Sequence, residues 1–578
     1  MTTRTTTEWL QSYATSRHDW HHRSKNGHSV YYRRGGIVEG LFNVDGTDFE
    51  GRADVATEFF VELRTTLNLD DLKNRILLVW SIFRQKHVLL ASKAVKAIDL
   101  EPDDSEQDLE DYFFLFEPSP HPERMVKEAK EHLDFVQDHY PDVDEDEFFK
   151  HALNTGRCID ASKALSRLYV MPIKPSIQGV QNLHFICIAA HEITDGLTVM
   201  RWLSSFIDLF NMSAQELARE AESLCSQSPV PRLPPAQETL YPPIKGSAAR
   251  QRWFWLLTRI LRHTRKPPPA SFQNPLRRRV ALGSRIAMEP KYPEFLNYSR
   301  VPPLNTFAVR AVLGPAPTRR LFKICREAGI SIGSGCFALV AVVMMLMEEL
   351  RDPHVAHHNR LPFVGSFPVN PRPFLTGKSL VGKEDSLMLA FSDGVTLPFL
   401  SSDLDLEGRL RLLGKQADRQ LRRYQKRPRS LTEEVNLGSR SPTQLLPMLY
   451  LDTMERLQGK TRASRKRQWD IQGAYPAKSS GSMATCGISS IGARHTIIPV
   501  GKYDTRRIPE NKDMVADFRD SESNVRARDG EFLVGVVGDN GQLRFNVSYD
   551  ACAIDPLLAD EWKRILETLL EPGRPLKL

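Results

Sequence analysis

The sequence predicts a mixed α/β protein built as two similar lobes, and three observations support that prediction. The chain has 578 residues, which is too long for one ordinary core at roughly 100–200 residues per domain. Apolar strand-like runs alternate with amphipathic helical patterns in both halves of the chain. Between the halves, residues 213–303 are rich in proline and basic residues. We therefore expect an N-terminal lobe over 1–212, a Pro-rich crossover over 213–303 and a C-terminal lobe over 304–578.

The elements of the N-terminal lobe follow from the period of its apolar residues. Residues 36–44, GIVEGLFNV, predict a strand, and residues 69–95 predict a long helix with one apolar face. Residues 121–140 predict a further helix. The run 184–189, HFICIA, is apolar without alternation, which is typical of a strand buried on both faces. In residues 197–210 the apolar positions recur at spacings of three and four, which predicts a helix.

The crossover and the C-terminal lobe show the same mixture of patterns. A helix is predicted around 253–262, WFWLLTRILR, inside the crossover. The apolar run at 336–347 is too short to span a bilayer and predicts a buried helix. The remaining elements of this lobe are strands within 306–314, 361–370, 482–492 and 541–550, and helices within 316–350, 404–425 and 555–570.

Composition limits the classes of protein and of partner. The hydrophobic fraction of 41% and the charged fraction of 26% are those of a globular protein, and a net charge of +7 is mild for this length, so we expect no nucleic-acid partner. Seven scattered cysteines without a CxxC pair indicate reduced thiols and a cytoplasmic location. The N-terminal stretch lacks the apolar core of a signal peptide, and we expect no membrane partner. The histidine-rich stretches 18–23 and 354–360 lack matched ligands, so no metal is expected.

One short stretch carries most of the functional signal, HFICIAAHEITDGLTVM at 184–200. His191 follows the buried strand, where it is held rigidly, and an ordinary histidine pKa near 6.5 suits proton abstraction. Asp195 needs an opposite charge if it is buried, and Gly196 either relieves a turn or lets another group approach closely. The alternative is a core histidine with a satisfied hydrogen bond, followed by an aspartate that caps the next helix.

The pattern His-x-x-x-Asp-Gly resembles that of the acyltransferase superfamily that includes chloramphenicol acetyltransferase, plant BAHD acyltransferases and nonribosomal peptide condensation domains. FVGSFPVNPRPFL at 363–375 and LRFNVSYD at 543–550 resemble strands of the superfamily's second lobe. The long crossover and the general layout are most similar to fungal trichothecene 15-O-acetyltransferases. The resemblance implies two chloramphenicol acetyltransferase-like lobes, each a mixed sheet with helices, facing each other across a central channel.

The resemblance also implies a role for each residue of the motif. His191 would be the general base that takes the proton of an acceptor hydroxyl. Asp195 would point away from the substrate and pair with Arg372 of the second lobe, with Asn370 as neighbouring support. Gly196 would leave space for the turn.

The implied activity is transfer of an acyl group, with acetyl favoured, from acyl-CoA to a hydroxyl of a fungal secondary metabolite such as a terpenoid mycotoxin. Ser489 and Ser490 are the candidate donors to the oxyanion. Acyl-CoA would be a co-substrate, a small-molecule alcohol the acceptor, no cofactor would be permanently bound, and the protein would be a monomer. Condensation domains usually carry two histidines, and here Ala190 stands in the first position. A condensation-like enzyme with a carrier-bound donor and a non-catalytic binding protein of this fold are the alternatives.

Overall fold

A computed structural model gives the fold and describes the residues 12–25, 27–96, 112–174, 179–264, 269–376, 383–425, 445–466, 469, 471 and 484–571. The α-helices in these ranges are α1 (Ile37–Asp48), α2 (Leu69–Lys86), α3 (Pro122–Lys130), α4 (Glu145–Asn154), α5 (Gly196–Phe210), α6 (Ala214–Ser226), α7 (Ala248–Thr264), α8 (Pro315–Ala328), α9 (Ile332–Arg351), α10 (Leu406–Leu421), α11 (Leu445–Lys460) and α12 (Pro556–Thr568). The strands in these ranges are β1 (His21–Lys25), β2 (His28–Arg34), β3 (Val55–Thr65), β4 (Lys93–Lys96), β5 (Tyr112–Phe116), β6 (Leu133–Phe135), β7 (Ser166–Val170), β8 (Val180–Ala189), β9 (Thr306–Leu313), β10 (Phe363–Ser366), β11 (Pro368–Val369), β12 (Ala390–Phe391), β13 (Val395–Leu397), β14 (Cys486–Ala493), β15 (Met514–Val525), β16 (Phe532–Asp539) and β17 (Gln542–Asp550).

The first large sheet has the strand order β15-β3-β8-β7-β6 and is mixed, because β6 runs parallel to β7 while the other pairs are antiparallel. Helices α2 and α5 contribute to the core of this lobe, in which Phe59, Trp80, Phe185 and Phe206 are buried. The apolar run in β8 is buried as predicted, and it continues into the motif. The outer strand β15 comes from the C-terminal part of the chain and pairs with β3 of the N-terminal part. The domain boundaries expected at 212/213 and 303/304 stay predictions.

The second large sheet has the order β13-β10-β14-β16-β17-β9 and mixes parallel and antiparallel pairs. Helix α9 lies in the core of this lobe together with residues of α8, α10 and α12. By length and composition α9 could cross a membrane, but 78% of its apolar window is buried inside the protein. The prediction of a buried helix over 336–347 is therefore confirmed, and the two-lobed α/β architecture is the one that the sequence predicts.

Residues 37–44 belong to helix α1 and Gly36 is its N-cap, so the prediction of a strand over 36–44 is wrong. The carboxylate of Glu39 accepts a hydrogen bond from the amide of Gly36 at 2.6 Å. Glu238 of the crossover accepts the next two amides, at 2.9 Å from Ile37 and 3.1 Å from Val38. These acceptors satisfy amide groups that the first turn of any helix leaves without partners. One of the two carboxylates lies about 200 residues away, so a local pattern could not reveal it.

Candidate active site

His191 follows the end of β8 and is half-buried in the turn that leads to α5. Its Nδ1 lies 2.7 Å from the carbonyl oxygen of Thr194. Because a carbonyl oxygen can only accept, this contact assigns the proton of the neutral ring to Nδ1. Nε2 is then the unprotonated nitrogen, and no hydrogen-bond partner for it occurs among the described residues. The arrangement fixes the ring by one nitrogen and leaves the other available.

The surroundings of the imidazole favour its neutral form. Phe42 of α1 stacks on the His191 ring with a centroid distance of 4.0 Å and an angle of 22° between the planes. The guanidinium of Arg528 lies 5.6 Å from the centroid of the Phe42 ring. Burial lowers the pKa of His191 because it disfavours the cation, and the positive charge of Arg528 lowers it further. At neutral pH the ring is therefore a base rather than an acid.

Asp195 serves two structural purposes at once, one with each carboxylate oxygen. Its Oδ1 accepts the amides of Leu197 at 3.0 Å and Thr198 at 3.2 Å, which caps the N-terminus of α5. Its Oδ2 accepts Nη2 of Arg372 at 2.8 Å and the amide of Met388 at 2.9 Å. Asp195 is thus both the helix-capping aspartate of the alternative interpretation and the aspartate that the resemblance pairs with Arg372.

Arg372 fixes a stretch of the second lobe against the start of α5. Its Nε donates to the carbonyl of Lys383 at 2.6 Å, and its Nη2 donates to the carbonyl of Ser386 at 3.0 Å. Asn370 lies beside it and accepts the Arg372 amide through Oδ1 at 3.1 Å. The side chains of Arg372 and Asp195 are each only 9% exposed, so their charges compensate each other away from water.

Gly196 is the first residue of α5, and its φ lies outside the left-handed region. A Cβ atom at this position would come within 3.0 Å of Cδ1 of Ile491 in β14. Glycine therefore leaves room for the close approach of a strand from the second lobe, and the conformation of the turn does not itself call for it.

Ser489 and Ser490, the candidate oxyanion donors, lie in the same strand β14. Oγ of Ser490 is 3.9 Å from the position that a Cβ would take at Gly333, in the first turn of α9. Ser489 precedes it and points to the opposite face of the sheet, because side chains alternate along a strand. Neither hydroxyl makes a hydrogen bond to another described residue. The structure brings their strand to the motif through Ile491, and their role stays a prediction.

Three contributors to the site escape sequence reasoning. Phe42 lies in the segment predicted as a strand, and Arg528 is distant in sequence and has no motif around it. The third is His87 at the end of α2, whose Nδ1 lies 2.7 Å from Oδ1 of Asp385. His87 is 298 residues from Asp385, so only the folded chain shows this further contact between the two lobes. Within the ranges that the structure describes, no group of three or more histidine, cysteine, aspartate or glutamate side chains is placed to hold a metal ion.

The fold is the two-lobed, chloramphenicol acetyltransferase-like one that the resemblance implies. Among solved structures the chain is similar to the TRI3 trichothecene 15-O-acetyltransferase from Fusarium sporotrichioides, with 12% identity and a TM-score of 0.60 over 96% of this chain and 98% of that one. It is also similar to the first condensation domain of the calcium-dependent antibiotic synthetase, with 11% identity and a TM-score of 0.49 over 94% and 98% of the two chains. No family model and no curated protein matches the sequence. The likeness to solved structures therefore establishes the fold alone.

Proposed function

We propose that the chain is an acyl-CoA-dependent O-acyltransferase in which His191 is the general base. The observation that carries the proposal is the state of its imidazole. Nδ1 donates to Thr194, Nε2 has no partner among the described residues, and the pKa is lowered. A general base in hydroxyl acylation needs a neutral ring with an accessible nitrogen lone pair, held in one orientation. We propose acetyl as the acyl group and a terpenoid-like alcohol as the acceptor, on the basis of the resemblance.

The reaction would proceed by addition and elimination. Nε2 of His191 takes the proton of the acceptor hydroxyl while the oxygen attacks the thioester carbonyl carbon. The resulting oxyanion needs hydrogen-bond donors, for which Ser489 and Ser490 are the candidates. The carbon–sulfur bond then breaks, and the imidazolium returns its proton to the leaving CoA sulfur. The products are the ester and free CoA thiol, and His191 is neutral again.

Asp195, Arg372 and Gly196 would act through position. The aspartate ties the start of α5 to the second lobe, and the glycine admits Ile491 at the same point. His191 lies four residues before Asp195 in the same turn. These contacts would therefore hold the imidazole in one position relative to the second lobe. They would set the distance from Nε2 to a bound hydroxyl, to which catalytic rates are sensitive.

The direct test is release of free thiol from acetyl-CoA in the presence of a panel of terpenoid alcohols. His191→Ala is expected to lose about 10²–10⁴-fold in rate, which is the usual contribution of a general base. His358→Ala is the matched control, because this histidine is exposed in the second lobe, and it should keep full activity. Full activity of His191→Ala would reject the assigned base.

The same experiment separates the alternatives. Turnover with a carrier-bound thioester and none with free acyl-CoA would point to a condensation-like enzyme. Failure of the folded protein to bind CoA in calorimetry, together with no turnover of either donor, would point to a binding protein that has kept the fold.

A further inference from the structure

Helix α7, in the Pro-rich crossover, presents an apolar stripe to solvent. The stripe occupies positions i, i+3, i+4, i+7 and i+8, which lie on one face of a helix. Its residues are between 36% and 59% exposed, and they are Trp253, Leu256, Leu257, Ile260 and Leu261. Monomeric proteins rarely leave a contiguous apolar patch of this kind uncovered, and such patches mark interaction surfaces.

The opposite face of α7 already has its partners inside the protein. Trp255 is buried and packs near Tyr450 of α11, with ring centroids 6.1 Å apart. Arg262 is buried too and donates to carboxylates of Asp452 and Glu455 in the same helix. The helix is therefore held firmly by its inner face, and the apolar stripe is not needed for that attachment.

Basic residues lie beside the stripe and before its first residue. With about 100° between successive residues, Arg252 and Arg259 fall along one edge, and Arg250 lies in line with the stripe one turn before it. The sequence of α7 contains four arginines and a histidine but no acidic residue. Apolar residues with tryptophan on one face and basic residues beside them are the pattern of helices that lie in a membrane surface.

We propose that α7 adsorbs the protein to the surface of an anionic lipid bilayer. The stripe would enter the boundary between headgroups and acyl chains, and Arg250 and Arg252, both exposed, would meet lipid phosphates and carboxylates. A partner that wraps around a basic helix is disfavoured, because Trp255 and Arg262 occupy the inner face. A flat surface reaches only the outer face, which is the one that is available.

This attachment is peripheral, and it departs from the expectation of no membrane partner, which stays a prediction. It does not depend on the proposed acyl transfer. The stripe residues lie on the outside of the crossover, and none of them contacts His191, Asp195 or Arg372 through any hydrogen bond, ion pair or ring contact of the described residues.

The test is flotation of the full chain with vesicles of phosphatidylcholine alone or with about 30% phosphatidylserine, an anionic lipid of cytoplasmic leaflets. We expect binding to the anionic vesicles that falls at high salt, because the electrostatic part is screened. The double variant Trp253→Ser/Leu257→Ser should lose binding by about tenfold or more, since it removes apolar area from the stripe. Arg250→Gln/Arg252→Gln should reduce the preference for the anionic vesicles.

The control is Val280→Ser/Leu557→Ser, which removes two apolar side chains that are 82% and 77% exposed outside α7. It should bind like the unmodified protein. Equal thermal unfolding of all variants excludes misfolding as the cause of a loss. The proposal is overturned if Trp253→Ser/Leu257→Ser binds vesicles normally or if the unmodified protein ignores anionic lipid. A dimer in light scattering that this variant dissociates would also overturn it, by assigning the stripe to a second copy of the chain.

Discussion

Asp195→Asn is the most informative single perturbation, because it separates the two structural tasks of this side chain. Asparagine is as good a helix cap as aspartate, so its Oδ1 can still accept the amides of Leu197 and Thr198. Its Nδ2, however, replaces the oxygen that accepts Nη2 of Arg372 and the amide of Met388. The amide of Met388 then faces a donor instead of an acceptor. Nη2 of Arg372 keeps only its acceptors at Ser386 and Thr198, and the guanidinium loses its compensating charge.

The expected cost follows from the burial of the pair. Removing one partner of a buried ion pair typically costs about 3–5 kcal/mol. Arg372 keeps carbonyl acceptors at Lys383 and Ser386, so the lower end, about 3 kcal/mol, is expected here. Asp195→Ala should cost about 1 kcal/mol more, because it also removes the cap. Arg372→Gln should cost a similar amount to Asp195→Asn.

The assay is a double-mutant cycle on urea unfolding, with acyl transfer followed in parallel. Because both single variants lose the same contact, the double variant should be less destabilised than the sum, with a coupling of about 1–3 kcal/mol. Glu327→Gln breaks the exposed pair with Arg411, whose atoms are 2.6 Å apart, and should change stability by less than about 0.5 kcal/mol. Strictly additive losses at Asp195 and Arg372 would refute the assigned pair.

Two further predictions concern the neighbours of this pair. Gly196→Val should lower the free energy of unfolding in urea by about 1–3 kcal/mol, because the new side chain overpacks against Ile491. Adding Ile491→Ala in the same chain should recover part of this loss. No recovery would show that the new side chain clashes with another residue. The acid limb of the pH profile of kcat/KM should lie below pH 6.5, because the rate is lost as pH falls through the lowered pKa of His191. Arg528→Gln removes the positive charge that lowers the pKa of His191, while the negative charge of Asp195, which raises this pKa, remains. The acid limb should therefore move to higher pH. Arg528→Lys keeps the positive charge and should leave the acid limb in place. An unmoved limb in Arg528→Gln would show that burial alone sets the pKa.

Local patterns were sufficient where a segment is determined by its own sequence. The run HFICIA and the helical spacing after it correctly predict β8 and α5, because both are buried on a continuous apolar surface. They also place His191, Asp195 and Gly196 at the junction of the two elements. The partner of Asp195 came from the resemblance, since nothing within 20 residues of the motif indicates Arg372.

Local patterns failed where a distant segment supplies the hydrogen bonds. Residues 36–44 are apolar enough for a strand, but residues 37–44 belong to α1 because Glu238 completes the helix start. Residues 121–140 were expected to be one helix, but α3 ends at Lys130, and residues 133–135 pair as β6 with β7. The strand β15 joins the sheet of the other half of the chain. In each case the deciding partner lies tens to hundreds of residues away.

The motif therefore combines two kinds of residue with different reasons to be present. Asp195 bonds to Arg372 of the second lobe, and Gly196 leaves room for Ile491 of that lobe, so both have a structural reason to be present whether or not the protein is an enzyme. His191 differs, because the fold contacts its ring through the Nδ1 bond to Thr194 and the stacking of Phe42, and neither contact uses Nε2. An asparagine could donate the same hydrogen bond from a nearly equivalent position, but it has no basic nitrogen in place of Nε2.

His191→Asn keeps the hydrogen bond but loses the stacking on Phe42, so it should cost only about 0.5–1.5 kcal/mol in urea unfolding. It should lose about 10²–10⁴-fold in acyl transfer. Unfolding curves and single-substrate kinetics of the same preparation measure both. If this variant is strongly destabilised, the histidine has a structural task that the Thr194 contact does not account for. If it is stable and fully active, Nε2 is not the base. Only a variant that is stable and inactive agrees with the assignment of Nε2 as a group that catalysis needs and the fold does not.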